Sequence, residues 1–164
     1  MNDLKIVVGN EIFDDDRSNQ ILTVFYIENQ GECFPSIQWT DFTYSVVGMW
    51  IYTLLKNKEL SNVKFDLYFM DGPFKLEVSK NESMQLSINC INVNGNQKSA
   101  VYKFTCDFFD FLSILNEAIT NLNSVLKNTR INKQKFNSAI KQTQVYIEQL
   151  HDIVRNREDN KKEI

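Results

Sequence analysis

Apolar residues recur in two periods along this chain, and the period changes three times. The opening is strand-like. Leu4 to Gly9 is rich in β-branched residues, and Ile21 to Glu28 (ILTVFYIE) is apolar on both faces for most of its length. The polar cluster Asp14-Asp15-Asp16-Arg17-Ser18-Asn19 lies between them and predicts the turn of an opening hairpin. After a connector from Phe34-Pro35 to Thr40 the period becomes helical. Phe42, Val46, Met49, Trp50 and Leu54 form one stripe; Tyr44, Val47, Ile51 and Leu55 form another. No charged residue lies between Asp41 and Lys56. A helix apolar nearly all round is covered on more than one side, so residues 41–57 are expected between the sheet and another layer. Thr40 or Asp41 is the expected N-cap, because a short side-chain oxygen accepts a free first-turn N–H.

The period then returns to two. Val63, Phe65, Leu67 and Phe69 alternate with Lys64, Asp66 and Tyr68. Phe74, Leu76 and Val78 alternate with Lys75 and Glu77; Met84, Leu86, Ile88 and Cys90 alternate with Gln85, Ser87 and Asn89. Asp71-Gly72-Pro73, Lys80 to Ser83 and Asn94-Gly95 are the turns, and Val101 to Phe104 belongs to the returning strand. Turns this short predict an antiparallel meander.

From Asp107, the expected cap, the pattern is helical to the end. Phe108, Leu112, Leu115, Ile119, Leu122 and Leu126 make one seam; Phe136, Ile140, Thr143, Ile147, Leu150 and Val154 make a second. Lys127 to Lys135 is polar apart from Ile131 and reads as a loop between antiparallel helices. The two seams also share one heptad frame if Thr129 and Lys133 are counted, and no Gly or Pro follows Gly95, so a single long dimerising helix is the alternative. The expected fold is therefore α+β: an antiparallel sheet of about six strands, one buried helix inserted after the second strand, and a C-terminal helical hairpin. The expected organisation is one domain over 1–157, strand-rich to 106 and helical over 107–157, with 158–164 as a frayed tail.

Composition changes this picture little. The chain has 164 residues, 43% hydrophobic and 12% aromatic, with 5 Gly and 2 Pro, which excludes collagen-like and Pro-rich disordered classes. The net charge of −3 argues against nucleic-acid binding by electrostatics. It averages an acidic front and a basic tail: residues 1–60 hold 4 basic and 9 acidic residues, and residues 127–164 hold 9 and 5. Cys33, Cys90 and Cys106 form no CxxC and are expected as free thiols in a reducing cytoplasm. Neither a signal peptide nor a membrane span is expected.

Candidate chemistry is sparse. His151 is the single histidine, too few for a zinc site or a Ser-His-Asp arrangement. No GxSxG, GxGxxG or GxxxxGK[ST] occurs. Phe65, Phe69, Phe74 and Phe104 invite a base-stacking platform, but they hold inward strand positions and are expected in the core. No catalytic residue, metal site or cofactor is expected; an enzyme built on a carboxylate pair without a signature is the outlying reading.

Two stretches carry a resemblance. Phe34-Pro35-Ser36-Ile37-Gln38-Trp39-Thr40-Asp41-Phe42 leads into the helix bearing Trp50, and Phe65 to Phe74 ends in Phe69-Met70-Asp71-Gly72-Pro73-Phe74. This order resembles small bacterial proteins that look like immunity proteins of polymorphic-toxin or contact-dependent growth-inhibition systems. It covers roughly residues 30–80. The resemblance implies a cytoplasmic protein that binds and neutralises a cognate toxin domain, with no direct nucleic acid or membrane partner. Many such toxins are nucleases with basic clefts, so an acidic face is expected on this side of the interface. The candidates are Asp14, Asp15, Asp16 and Glu32, with Asp66 and Asp71 if the sheet brings them together. A structural or adaptor module, dimerising through the C-terminal heptads, is the alternative function.

Overall fold

A computed structural model describes residues 3–15, 20–129, 134 and 137–162. Strand β1 (Lys5–Asp15) pairs antiparallel with β2 (Gln20–Asn29), giving the expected hairpin. Asp14 and Asp15 lie opposite Ile21 and Gln20, so they extend the ladder instead of forming the turn. Two short strands, β3 (Glu32–Phe34) and β4 (Thr40–Phe42), both pair with β2, one along each half of it. Helix α1 (Thr43–Lys56) follows. Then β5 (Val63–Tyr68), β6 (Phe74–Lys80), β7 (Gln85–Asn94) and β8 (Gln97–Asp107) form the predicted antiparallel meander.

The class is α+β, but the strands divide into two sheets of four, not one of about six. The difference comes from β3 and β4. Each is three residues long, too short to show a period, and their pairing with β2 is set at long range. The buried helix thus follows the fourth strand instead of the second. Its N-cap position is Phe42, with no side-chain hydrogen bond; Asp41 lies in β4 and does not cap.

Helix α1 is covered on several sides, as its all-round apolar sequence requires. It packs on β2, β4 and β5 and on the last helix, burying Tyr44, Val46, Val47, Trp50, Ile51 and Leu54. Helices α2 (Phe108–Asn128) and α3 (Asn137–Lys162) are two separate helices. They run antiparallel: Arg157, near the end of α3, pairs with Asp107 at 3.2 Å and Asp110 at 2.9 Å, at the start of α2. Its guanidinium also stacks over Phe109. The hairpin is therefore the observed form, and the single long helix is not. Asp107 caps α2 as predicted, its carboxylate accepting from the Phe109 and Asp110 N–H groups. Helix α3 continues through Lys162, past the point where fraying was expected. Phe136 and Lys133 lie outside the described residues.

The seam positions of α2, Phe108 through Leu126, are all buried, as are Thr143, Ile147, Leu150 and Val154 of α3. Both stripes face the protomer's own core. Among the described residues these buried seam positions are taken up within the chain. Phe65, Phe69, Phe74 and Phe104 belong to that core or pack on it, which sets aside the base-stacking platform.

Two packing details generate predictions. A Cβ added at Gly48 of α1 meets Thr143 of α3, 2.9 Å from Oγ1 and 3.0 Å from Cγ2. Gly48→Ala is expected to lower stability by about 1–2 kcal/mol in urea unfolding, although alanine favours helix. Adding Thr143→Ala is expected to recover most of that loss. Tyr44, 2% exposed, donates to Asn123 of α2, and burial pushes its hydroxyl up to about 12. Its ordinary value is 10.0, so folding holds the proton more tightly than the unfolded chain does. The stability this contributes is present below pH 10 and is lost as pH rises toward 12. Tyr44→Phe is expected to flatten that part of the alkaline limb in pH-dependent unfolding.

Candidate interaction site

Asp41 is 0% exposed, and its carboxylate gathers the two stretches that carry the resemblance. It accepts from the Phe42 N–H at 2.7 Å in β4 and from the Trp39 indole, just before that strand, at 3.3 Å. It also accepts from the Met70 N–H at 3.2 Å and the Asp71 N–H at 3.1 Å, in the β5–β6 turn. Burial raises its carboxyl above the usual aspartate value, and the hydrogen bonds oppose that shift.

Aromatic rings complete the junction. Trp39 stands edge-on to Phe74 at 5.0 Å, and Phe34 contacts both Phe69 and Phe74. Trp50 packs on Phe25 and Phe69 while its indole donates to the Tyr68 carbonyl at 2.8 Å. Gly72 has φ of +98°, and an added Cβ there lies 3.0 Å from Trp39 and 3.1 Å from Phe74.

The turn also presents side chains outward. Met70 is 42% exposed although its backbone is tied to Asp41. It borders a groove of about 330 Å³ between α1 and α3, with Met49, Tyr52 and Tyr146 as the other apolar walls and Ser45 and Gln142 on the rim. Met49 and Tyr52 are 43% and 47% exposed, and Tyr52 stands edge-on to Tyr146 at 5.4 Å. Two flexible thioethers beside two tyrosines make an adaptable surface with amphipathic anchors, suited to a protein partner.

The acidic candidates are spread over the fold. Asp14 and Asp15 lie at the Gln20 end of β2, and Glu32 lies opposite Asn29 at the other end. Ten residues of strand separate these ends, roughly 30 Å. Asp16 is outside the described residues. Asp66 is on the outer face of the β5–β8 sheet, where it accepts from Lys75 at 2.8 Å and from the Tyr68 hydroxyl. Lys75 is only 6% exposed and also pairs with Glu77 at 2.9 Å. Burial pulls the Lys75 ammonium down, but its two carboxylate partners outweigh burial and hold it above its usual range. The charge of Asp66 is therefore matched within the sheet. Asp71 is exposed and follows Met70 directly in the chain.

Cys90 and Cys106 are buried and free, as predicted, with burial pushing each thiol up to about 12. Among the described residues no group of three or more His, Cys, Asp or Glu side chains is placed to hold a metal ion. Nor is any helix among them long and apolar enough to cross a membrane. No known protein family, curated protein or solved structure matches this chain.

The groove residues had one legible signal. Met49 and Tyr52 sit in an all-apolar helix, where some member must face out, but Tyr146 and Met70 reach them only through the tertiary fold. Asp41→Asn is expected to destabilise the chain by about 1–3 kcal/mol, because the new amide NH₂ turns donors toward the Trp39 and Met70 N–H groups. Urea unfolding with tryptophan fluorescence measures this. The raised carboxyl adds a direction: its contribution is fully present below the unfolded aspartate value and is lost as pH rises through the folded one. The stability difference between the unaltered chain and the Asp41→Asn variant is accordingly expected to vary across the acid limb.

Proposed function

We propose that this chain is a protein-binding module of the immunity type, which neutralises a bacterial toxin domain by stoichiometric contact and performs no catalysis of its own. The observation that carries this is the coupling of Met70 to Asp41. The stretches behind the resemblance are locked together by one buried carboxylate, and the outward side chain they present lines the groove with Met49, Tyr52 and Tyr146. A contact residue fixed through its own backbone costs less ordering on binding than one on a free loop. The partner this groove fits presents an apolar anchor, and the exposed Asp71, next in the chain to Met70, takes a basic neighbour. Free cysteines agree with a cytoplasmic setting for such a complex.

The test is protection. The toxin domain encoded beside this gene is expressed with and without the chain, and the two are assayed for growth and co-purification. Protection is expected, and Met49→Asp with Met70→Asp is expected to weaken binding by about 2 kcal/mol or more, with an unchanged far-ultraviolet spectrum and unfolding midpoint. No protection, or full protection by that double variant, overturns the proposal as stated. Loss of protection on charge reversal of Asp14 to Asp16, with the groove variant still active, assigns the contact to the acidic hairpin instead.

A further inference from the structure

The outer edge of β1 and the flank of α2 enclose a second cleft. In its sheet β1 pairs only with β2, and among the described residues no backbone hydrogen bond runs from β1 to another element. Main-chain N–H and C=O groups along that edge thus have no backbone partner among the described residues, with α2 packed beside them. The ladder is also interrupted. Between the Val8↔Phe25 and Ile12↔Thr23 pairs, Gly9, Asn10 and Glu11 face the single residue Val24.

Helix α2 runs alongside this edge in the same direction. A cavity of about 540 Å³ lies between Val8 and Asn10 of β1 and Asn121, Ser124 and Asn128 of α2. A second, of about 360 Å³, continues it toward Lys5 and Glu117 and shares Val8 and Asn121 as walls. Positions 117, 121, 124 and 128 follow the alternating four-and-three spacing of one helix face. The larger cavity is uncharged and mixes amides and hydroxyls with Val8 and Val125. The side chains of Asn10, Asn121, Ser124 and Asn128 have no hydrogen-bond partner among the described residues. At the far mouth Lys5 is held by Glu28 at 2.8 Å, whereas Glu117 is exposed and unpaired among the described residues.

We propose that this cleft binds an extended peptide segment of a partner protein by strand addition to β1, with Asn10, Asn121 and Asn128 pairing its amide groups. A primary amide offers a donor and an acceptor side by side, so it closes a pair of hydrogen bonds with one peptide unit. Lys5 to Asn10 spans about 17 Å, enough for about five extended residues. The neutral walls select an uncharged run, and Glu117 selects a Lys or Arg at its end. A neutral oligosaccharide also uses amides, but it has no alternation of N–H and C=O to match the open strand edge, so the peptide is the better fit.

Panning a phage-displayed random-peptide library against the intact chain, followed by synthesis of the selected peptides, tests this. Selected peptides are expected to carry an uncharged run ending in Lys or Arg and to slow hydrogen exchange of the β1 amides. Asn121→Leu and Asn128→Leu, both at exposed helix positions, are each expected to weaken binding about tenfold while leaving the unfolding midpoint in place. Glu117→Gln is expected to reduce the preference for the basic end. Selection of no peptide, or of peptides whose affinity survives both asparagine variants, overturns the proposal. So does maltohexaose shifting the Asn10, Asn121 and Asn128 amide resonances when no peptide does. This cleft shares no residue with the Met49–Met70 groove, so peptides lost only on Met49→Asp with Met70→Asp refute this site and leave the toxin-binding groove standing.

Discussion

A carboxylate removed from water must be satisfied by protein donors, and in this chain that demand falls on Asp41. No lysine or arginine contributes to its environment. Four N–H groups do, from Trp39, Phe42, Met70 and Asp71. Two of those donors belong to β4 and its approach, and two to the turn between β5 and β6. The carboxylate is therefore a hydrogen-bonded joint between the two sheets. The rings of Phe34, Trp39, Phe69 and Phe74 close around it, which keeps water away and strengthens the electrostatics of each bond.

The joint sets the position of what lies around it. Trp39 is aimed at Asp41 by its indole N–H and at Phe74 by its ring edge, so the connector before α1 has little freedom. Trp50 then docks on Phe25 and Phe69 and hydrogen-bonds Tyr68, fixing α1 against both sheets. A second polar tie, from the Asn29 amide to the Tyr102 hydroxyl at 3.0 Å, joins the sheets elsewhere. With α1 placed, Gly48 allows α3 to approach closely through Thr143, and the α1–α3 groove follows from that crossing.

The meander β5–β8 and both C-terminal seams were legible because their periods run over many residues and report burial directly. The hairpin was harder to choose, since the seams also fit one heptad frame. Arg157 decides it by returning to Asp107 and Asp110 over a distance in sequence that no local pattern spans. β3 and β4 escaped because three residues cannot display alternation. Asp41 was misassigned for a related reason. An aspartate just before an apolar helical stripe has the local look of an N-cap, and cap rules weigh only near neighbours. Its outside donors lie about thirty residues away, and only its burial tells them apart from helix N–H groups. Glu32 falls away from Asp14 and Asp15 because the length of β2 lies between them, a separation no local pattern reports.

Charge shows the same conversion. An acidic front and a basic tail suggested a polarised molecule, but folding mixes the two. Arg157 leaves the basic tail to cover acids at the head of α2, Lys5 pairs with Glu28 within the front, and Lys75 binds Asp66 and Glu77 inside one sheet. Each such pair removes charge from what an approaching partner feels. The exposed Lys5–Glu28 pair adds little stability, and the effect of all these pairs on recognition is to leave shape and apolar contact in charge. Met70 illustrates the result. Of the two acids near it in sequence, Asp66 is matched by Lys75, while Asp71 keeps an exposed side chain. What Met70 offers outward is a thioether beside Met49 and two tyrosines, so selectivity at that groove has to come from complementarity of form, with the exposed Asp71 next in the chain adding direction.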